Sequence, residues 1–225
     1  VKSSLIAALS PEQVDLVVSA LVVRRSVDPH AEYVLVGIAK RFPEKVIDFF
    51  GERLRQRGDD DVVDQYEAVP YSFTALRPHL AATGEYVLAQ CRAWYREKPE
   101  LFEFRGGRLL SVLFPEFTSE LEGHLKKMLA TDGADAARFV MDVLAGYRGS
   151  PATHELYKLI VDAVPDEAQV LGSVEVALIS TGGGSGEFGM VEAYHRKKNE
   201  FQPWLTDPRP RVKAGARPQS HPAGR

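Results

Sequence analysis

Glu32-Tyr33-Val34-Leu35 returns letter for letter as Glu85-Tyr86-Val87-Leu88, 53 residues further on. Another 53 residues downstream stands Arg138-Phe139-Val140-Met141, with the same order of aromatic, valine and aliphatic. The shared register continues past the tetrapeptide. Ile38, Cys91 and Leu144 fall at one equivalent position, Phe42 and Tyr95 at another. Recurrence over a few tens of residues marks a chain built from stacked supersecondary units, each burying its apolar face only against its neighbour. The spacing exceeds that of the usual two-helix repeat, so a unit here is expected to include extra turns or a third short helix.

The local signals are those of helices. Ser10-Pro11-Glu12-Gln13 combines an N-cap serine, a proline at the first helical position and a capping-box glutamine. Val14, Val17, Val18, Leu21 and Val22 follow at helical spacing. Pro29 opens a second helix carrying Tyr33, Val34, Ile38 and Phe42. Pro43-Glu44 opens a third, with Val46, Ile47, Phe50 and Leu54 on one face. Breaks are predicted at Gly58-Asp59, Thr83-Gly84, Pro115, Asp132-Gly133, Gly149-Ser150-Pro151 and Pro165-Asp166. No stretch alternates with the period of a strand, so the fold class is all-α.

The segment from Trp204 to Ala214 (Trp-Leu-Thr-Asp-Pro-Arg-Pro-Arg-Val-Lys-Ala) resembles the second half of a HEAT repeat, in which an Asp begins the helix and a Val-Arg/Lys-x-x-Ala run packs it. After it the sequence departs from the pattern, because Arg217-Pro218-Gln219-Ser220-His221-Pro222 cannot continue a helix. The resemblance implies a right-handed α-solenoid of antiparallel helix pairs, HEAT- or ARM-like, with about ten to twelve helices. It also extends to helical C-terminal regions of larger bacterial proteins. The expected organisation is one helical repeat domain over residues 1–214 and a disordered basic tail over 215–225.

Composition limits the function classes. With 44% hydrophobic and 26% charged residues the chain is ordinary and globular. No apolar run reaches the roughly 18 residues of a membrane span. Val14 to Val23 is interrupted by Asp15, is followed by Arg24-Arg25 and lacks a small-residue cleavage site, so it does not read as a signal peptide. The single cysteine, Cys91, allows neither an internal disulfide nor a thiolate cluster and reads as a core thiol. A cytoplasmic location is expected. The first residue is Val1 and a helical pattern is already running at Leu5, which suggests a piece of a longer protein. Charge is uneven: the formal −3 divides into +6 from Arg196 onward and −9 before it. A basic end on an acidic body can touch nucleic acid or an acidic partner, or can simply be solvated.

Gly184-Ser185-Gly186-Glu187-Phe188-Gly189-Met190-Val191 fits the letters of a nucleotide loop, but its context does not. A dinucleotide fingerprint needs a preceding strand within a βαβ unit, and residues 166–181 read as a helix. A kinase loop needs downstream Lys, His-Arg-Asp and Asp-Phe-Gly motifs, none of which follows. The stretch reads as a connection between antiparallel helices, where Gly184, Ser185 and Gly186 can offer backbone N–H groups to a partner's anion. Asp59-Asp60-Asp61 lacks the glycine and terminal glutamate of a calcium loop. The six histidines form no H-x-x-x-H pair. Neither cofactor nor metal is expected.

Two stretches stand outside the repeat pattern. Tyr66 to Phe73 is an aromatic, proline-containing connection, and Phe102-Glu103-Phe104-Arg105-Gly106-Gly107-Arg108 sets two aromatics and two arginines around a glycine pair. Clustered aromatics and arginines carry interface energy, although they can equally fasten a long connection to its scaffold. Candidate partner-binding residues are therefore Tyr66, Tyr71, Phe73, Trp94, Phe104, Arg105, Arg108 and Ser185. The expected function is a non-enzymatic protein-interaction or sensing scaffold. The alternative is a HEAT-like DNA-binding protein or alkylated-base DNA glycosylase, which would need Trp94, Arg92, Arg105 and Arg108 on one concave face. The acidic body argues against a duplex-binding surface.

Overall fold

A computed structural model describes residues 3–56, 66–147, 150–164, 168–179 and 198–215. Among them the chain is helical with no strand, and no helix is long and apolar enough to cross a membrane. The chain divides into two compact units, residues 1–124 and 125–225. The Gly184–Val191 stretch, the Asp59–Asp61 run and the basic tail lie outside the described residues.

The first unit holds α1 (Ser3–Ala7), α2 (Pro11–Val22), α3 (Pro29–Ala39), α4 (Pro43–Arg55), α5 (Arg77–Ala81), α6 (Gly84–Glu97), the short α7 (Pro99–Leu101), a π-helical turn (Phe102–Gly106) and α8 (Gly107–Leu113). The start signals act as read. Ser10 Oγ accepts the Gln13 amide at 3.3 Å while Gln13 Oε1 accepts the Ser10 amide at 2.9 Å, a complete capping box. Asp28 caps α3 by accepting the Ala31 amide at 2.8 Å. That bond is the main reason its carboxyl lies below the usual range.

Helix α4 is the hub, packing against α2, α3, α5, α6 and the π turn. It buries Val46, Ile47, Phe49, Phe50 and Leu54. Against α6 the contact is tight at one glycine. A Cβ added to Gly51 would stand 2.8 Å from the Trp94 indole, so only glycine lets the tryptophan seat there. At the rim, Tyr86 donates to Asp48 Oδ1 at 2.8 Å. Desolvation and that bond push the phenol up to about 12.

One residue on the buried face of α4 is charged. Arg53 has no exposed surface, and its guanidinium donates to six backbone carbonyls. They are Leu21 (3.3 Å), Val22 (2.8 Å), Arg24 (2.7 Å) and Arg25 (3.5 Å) at the end of α2, with Ala68 (3.0 Å) and Glu67 beyond α4. The last carbonyls of a helix have no partner within the helix, and a cation there also meets the negative end of the helix dipole. Burial pulls the Arg53 pKa down, yet a guanidinium stays charged in a protein. Arg41 repeats the device in smaller form, donating to the carbonyls of Ala7 and, at 3.1 Å, Leu9 where α1 ends.

Helix α9 (Ser119–Asp132) carries the boundary between the units, and α10 (Ala134–Ala145) follows it after Gly133 alone. That glycine has φ +52, a conformation that side chains other than glycine rarely adopt. The second unit continues with a 3₁₀ turn (Pro151–Thr153), α11 (His154–Ala163), α12 (Ala168–Ile179), α13 (198–205) and α14 (Pro210–Gly215). Helix α11 packs against α10, α12 and α14, and α10 against α12.

The three recurrent tetrapeptides begin inside α3, α6 and α10. Ala31, Gly84 and Ala137 are buried, as are Leu35, Leu88 and Met141, and Ile38, Cys91 and Leu144. The same helical face points inward in each. Cys91 has no exposed surface, and desolvation drives its thiol well above the usual range. The aromatic position does not keep one environment: Tyr33 is exposed, Tyr86 half-buried and Phe139 buried.

Arg53→Met removes the charge and orphans the carbonyls it serves. Expected destabilisation is about 3–5 kcal/mol, the usual effect of removing one side of a buried polar network. Urea unfolding followed by circular dichroism measures it; an unchanged midpoint would contradict the anchoring role.

Candidate functional site

The connection between α4 and α5 is held from several sides. The Glu67 amide donates to Arg25 O at 2.8 Å. The Tyr66 hydroxyl donates to Val22 O at 3.1 Å, and its ring lies 4.6 Å from the Arg53 guanidinium. Phe73 is buried and stacks on Phe50 with ring centroids 5.5 Å apart. The Ala75 amide donates to Glu32 Oε1 at 3.3 Å. The fastening reading thus accounts for Tyr66 and Phe73, whose side chains attach the connection to α2 and α4.

Tyr71 is different. The residue is 78% exposed, so packing within the fold does not require it. Its backbone is nonetheless held, with the Tyr71 amide donating a hydrogen bond to Glu67 Oε1 at 3.1 Å. Arg108 lies over the ring, 4.0 Å from the centroid, and donates from Nη1 to Val69 O at 3.3 Å. Such a cation–π pair adds order to an exposed aromatic at modest energy.

Arg108 is aimed by the backbone before it. Residues 102–106 form a π turn that leads directly into α8. A Cβ on Gly107 would stand 3.2 Å from the Phe102 carbonyl oxygen, a tight contact across the turn. π turns of this kind recur at functional sites. Phe102 is buried edge-on against Tyr95 at 6.1 Å. Phe104 and Arg105 stand on the turn, with side chains outside those described, and Ser185 lies outside the described residues.

Trp94 is 1% exposed and packed on Gly51. As placed it is core, and no partner reaches it. Arg92 is also buried. The base-excision alternative needs both on an open face, and these two side chains point inward. The structure therefore brings Tyr71 and Arg108 together at the surface, ties Tyr66 into their support and assigns Phe73 and Trp94 to the interior. Sequence reading missed Arg53, although its position seven residues after Val46 places an arginine on an otherwise apolar helix face.

In the second unit a polar cluster seats α13 and α14 on α11. Trp204 is buried, and its Nε1 donates to His154 Nδ1 at 3.2 Å. That nitrogen therefore carries no proton, leaving it on Nε2, which faces Glu200 Oε2 at 4.0 Å. Asp207 accepts Arg209 Nε at 2.8 Å and Nη2 at 2.9 Å, and lies 3.3 Å from Lys158 Nζ. Lys158 also donates to Pro203 O at 3.3 Å, and Arg209 reaches Glu155 at 3.1 Å. In the segment from Trp204 to Ala214, then, Asp207 does not directly begin the helix. It accepts the Arg209 amide at 3.0 Å, and α14 starts at Pro210. Elsewhere in this unit a cleft of about 380 Å³ opens between α10 and α12, with Tyr157, Gly172 and Ser173 in its lining.

The bonds from Arg209, then the Lys158 contact, hold the Asp207 carboxyl well below the ordinary 3.8. A depressed folded-state pKa gives stability that is present above the unfolded value and is lost as pH falls. The second unit is expected to weaken progressively below about pH 4, and Asp207→Asn to flatten that dependence while lowering stability at neutral pH. Thermal melts across pH 2 to 7 read both effects. A parallel substitution series separates surface from interior. Tyr71→Ala should change stability by no more than about 0.5 kcal/mol, whereas Trp94→Ala should lose about 3–5 kcal/mol.

Comparison with known protein families, with curated proteins and with solved structures finds no match to this chain.

Proposed function

We propose that the chain is a non-enzymatic interaction module in which stacked helical units, arranged as a HEAT-like α-solenoid, present a protein-docking surface on the connection between α4 and α5. The observation that carries this reading is the exposed Tyr71 held against Arg108. A tyrosine that the fold does not need, yet orders, suits recognition, because an aromatic anchor already fixed in place loses little entropy on binding. The solenoid arrangement draws its support from the common buried register of α3, α6 and α10. The inward placement of Trp94 and Arg92 favours this reading over base excision.

The test is a pull-down from bacterial lysate with the whole chain as bait, with and without nuclease. A protein retained after nuclease, and competed by excess free chain, is the expected result. Recovery that disappears with nuclease would transfer the function to nucleic acid and call for a base-excision assay.

A further inference from the structure

Arg108 is half-buried, yet among the described residues it forms no ion pair. Its polar contact is the single bond to Val69 O, and its flat face rests on Tyr71. A guanidinium has five donors and matches a carboxylate two bonds at a time. The neighbouring acidic groups are otherwise directed: the Glu67 carboxylate serves the Tyr71 amide, and Glu103, exposed on the π turn, is not paired with Arg108. From Ala68 to Gly84 the chain holds Arg77 and His79 but no aspartate or glutamate. Arg77 is exposed at the start of α5, which packs against α8. Arg108 and the open face of Tyr71 thus sit together at the surface, with the exposed Arg77 on the neighbouring α5 and the Glu67 carboxylate turned to the Tyr71 amide.

We infer that Tyr71 and Arg108 form the docking site for a short acidic peptide segment, with a carboxylate on the Arg108 fork and an apolar or aromatic side chain on the open face of Tyr71. The inference rests on the interaction-module reading and adds the chemistry of the partner. Nucleic acid would also bring anions and rings, but the −9 carried before Arg196 repels an extended polyanion. A short segment presents its one or two carboxylates within a Debye length of about 8 Å and avoids most of that repulsion. The rigid support matters here. Arg53 fixes residues 67 and 68, the Glu67 side chain fixes the Tyr71 amide, and the π turn fixes Arg108, so both binding groups are in place before the partner arrives.

Selection of random displayed peptides of about 12 residues against the whole chain tests the inference, followed by fluorescence anisotropy of the enriched peptides. Enrichment of Asp or Glu beside an aromatic or large apolar residue is expected. Tyr71→Ala and Arg108→Glu should each weaken binding about tenfold or more, as hot-spot truncations do. Arg108→Lys should fall between, and Arg211→Glu, exposed in the other unit, should change nothing. Far-ultraviolet melts show whether each variant is folded, and the exposed Tyr71 can be truncated without disturbing the interior. No enrichment, enrichment of basic peptides, affinity indifferent to both substitutions, or preference for a single-stranded oligonucleotide would each overturn the assignment. If Tyr71→Ala and Arg108→Glu chains still retain the same lysate protein, this site fails while the module reading stands. If the unsubstituted chain retains no lysate protein, the module reading fails, and the display result decides this site by itself.

Discussion

A single guanidinium joins the end of α2 to residues 67 and 68 of the connection between α4 and α5. Arg53 supplies donors to carbonyls that a terminated helix leaves unsatisfied, and it does so where no water can substitute. Its fork has a fixed shape, so the carbonyls of residues 21–25 and 67–68 can converge only in one arrangement. Residue 66 enters that arrangement with its ring against the same cation, and residue 71 hangs from the Glu67 side chain. The exposed surface is therefore a consequence of a buried charge several residues away.

The second unit solves an equivalent problem differently. There the segment from 198 to 215 is attached to α11 by side-chain charges rather than by a guanidinium on carbonyls. Asp207 sits between Lys158 and Arg209, and Trp204 finds an acceptor in His154. Each buried polar atom of this kind must be matched, because an unmatched one costs more than the bond gains. The first anchor contains no group that titrates in the accessible range, while the second rests on a carboxylate whose folded-state pKa is depressed, so its contribution fades as pH falls below the ordinary 3.8.

Much of the fold is legible from periodicity. The helix starts at Pro11 and Pro29 appear where proline and a capping residue occur together, because these act through bonds within three residues of each other, and the start at Pro43 follows the proline alone. The recurrent register identifies buried positions in α3, α6 and α10, since one helical face must be apolar to pack at all. The proposed docking surface is less legible. Tyr66, Tyr71, Phe73 and Trp94 are all aromatic residues in or near irregular segments, and nothing local distinguishes the 78% exposed Tyr71 from the 1% exposed Trp94. That difference depends on Gly51 opposite Trp94, and on whether any residue distant in the chain lies opposite Tyr71.

The sequence by itself determined that this chain is helical, where its principal helices begin and which face of each recurrent helix turns inward, because these depend on short-range bonding and on spacing along the chain. Only the tertiary structure decided which aromatic stays at the surface, which arginine is buried as an anchor and which meets Tyr71. Those outcomes require atoms tens of residues apart to share one place, and the geometry of a guanidinium among carbonyls is fixed only once the helices that carry them have packed.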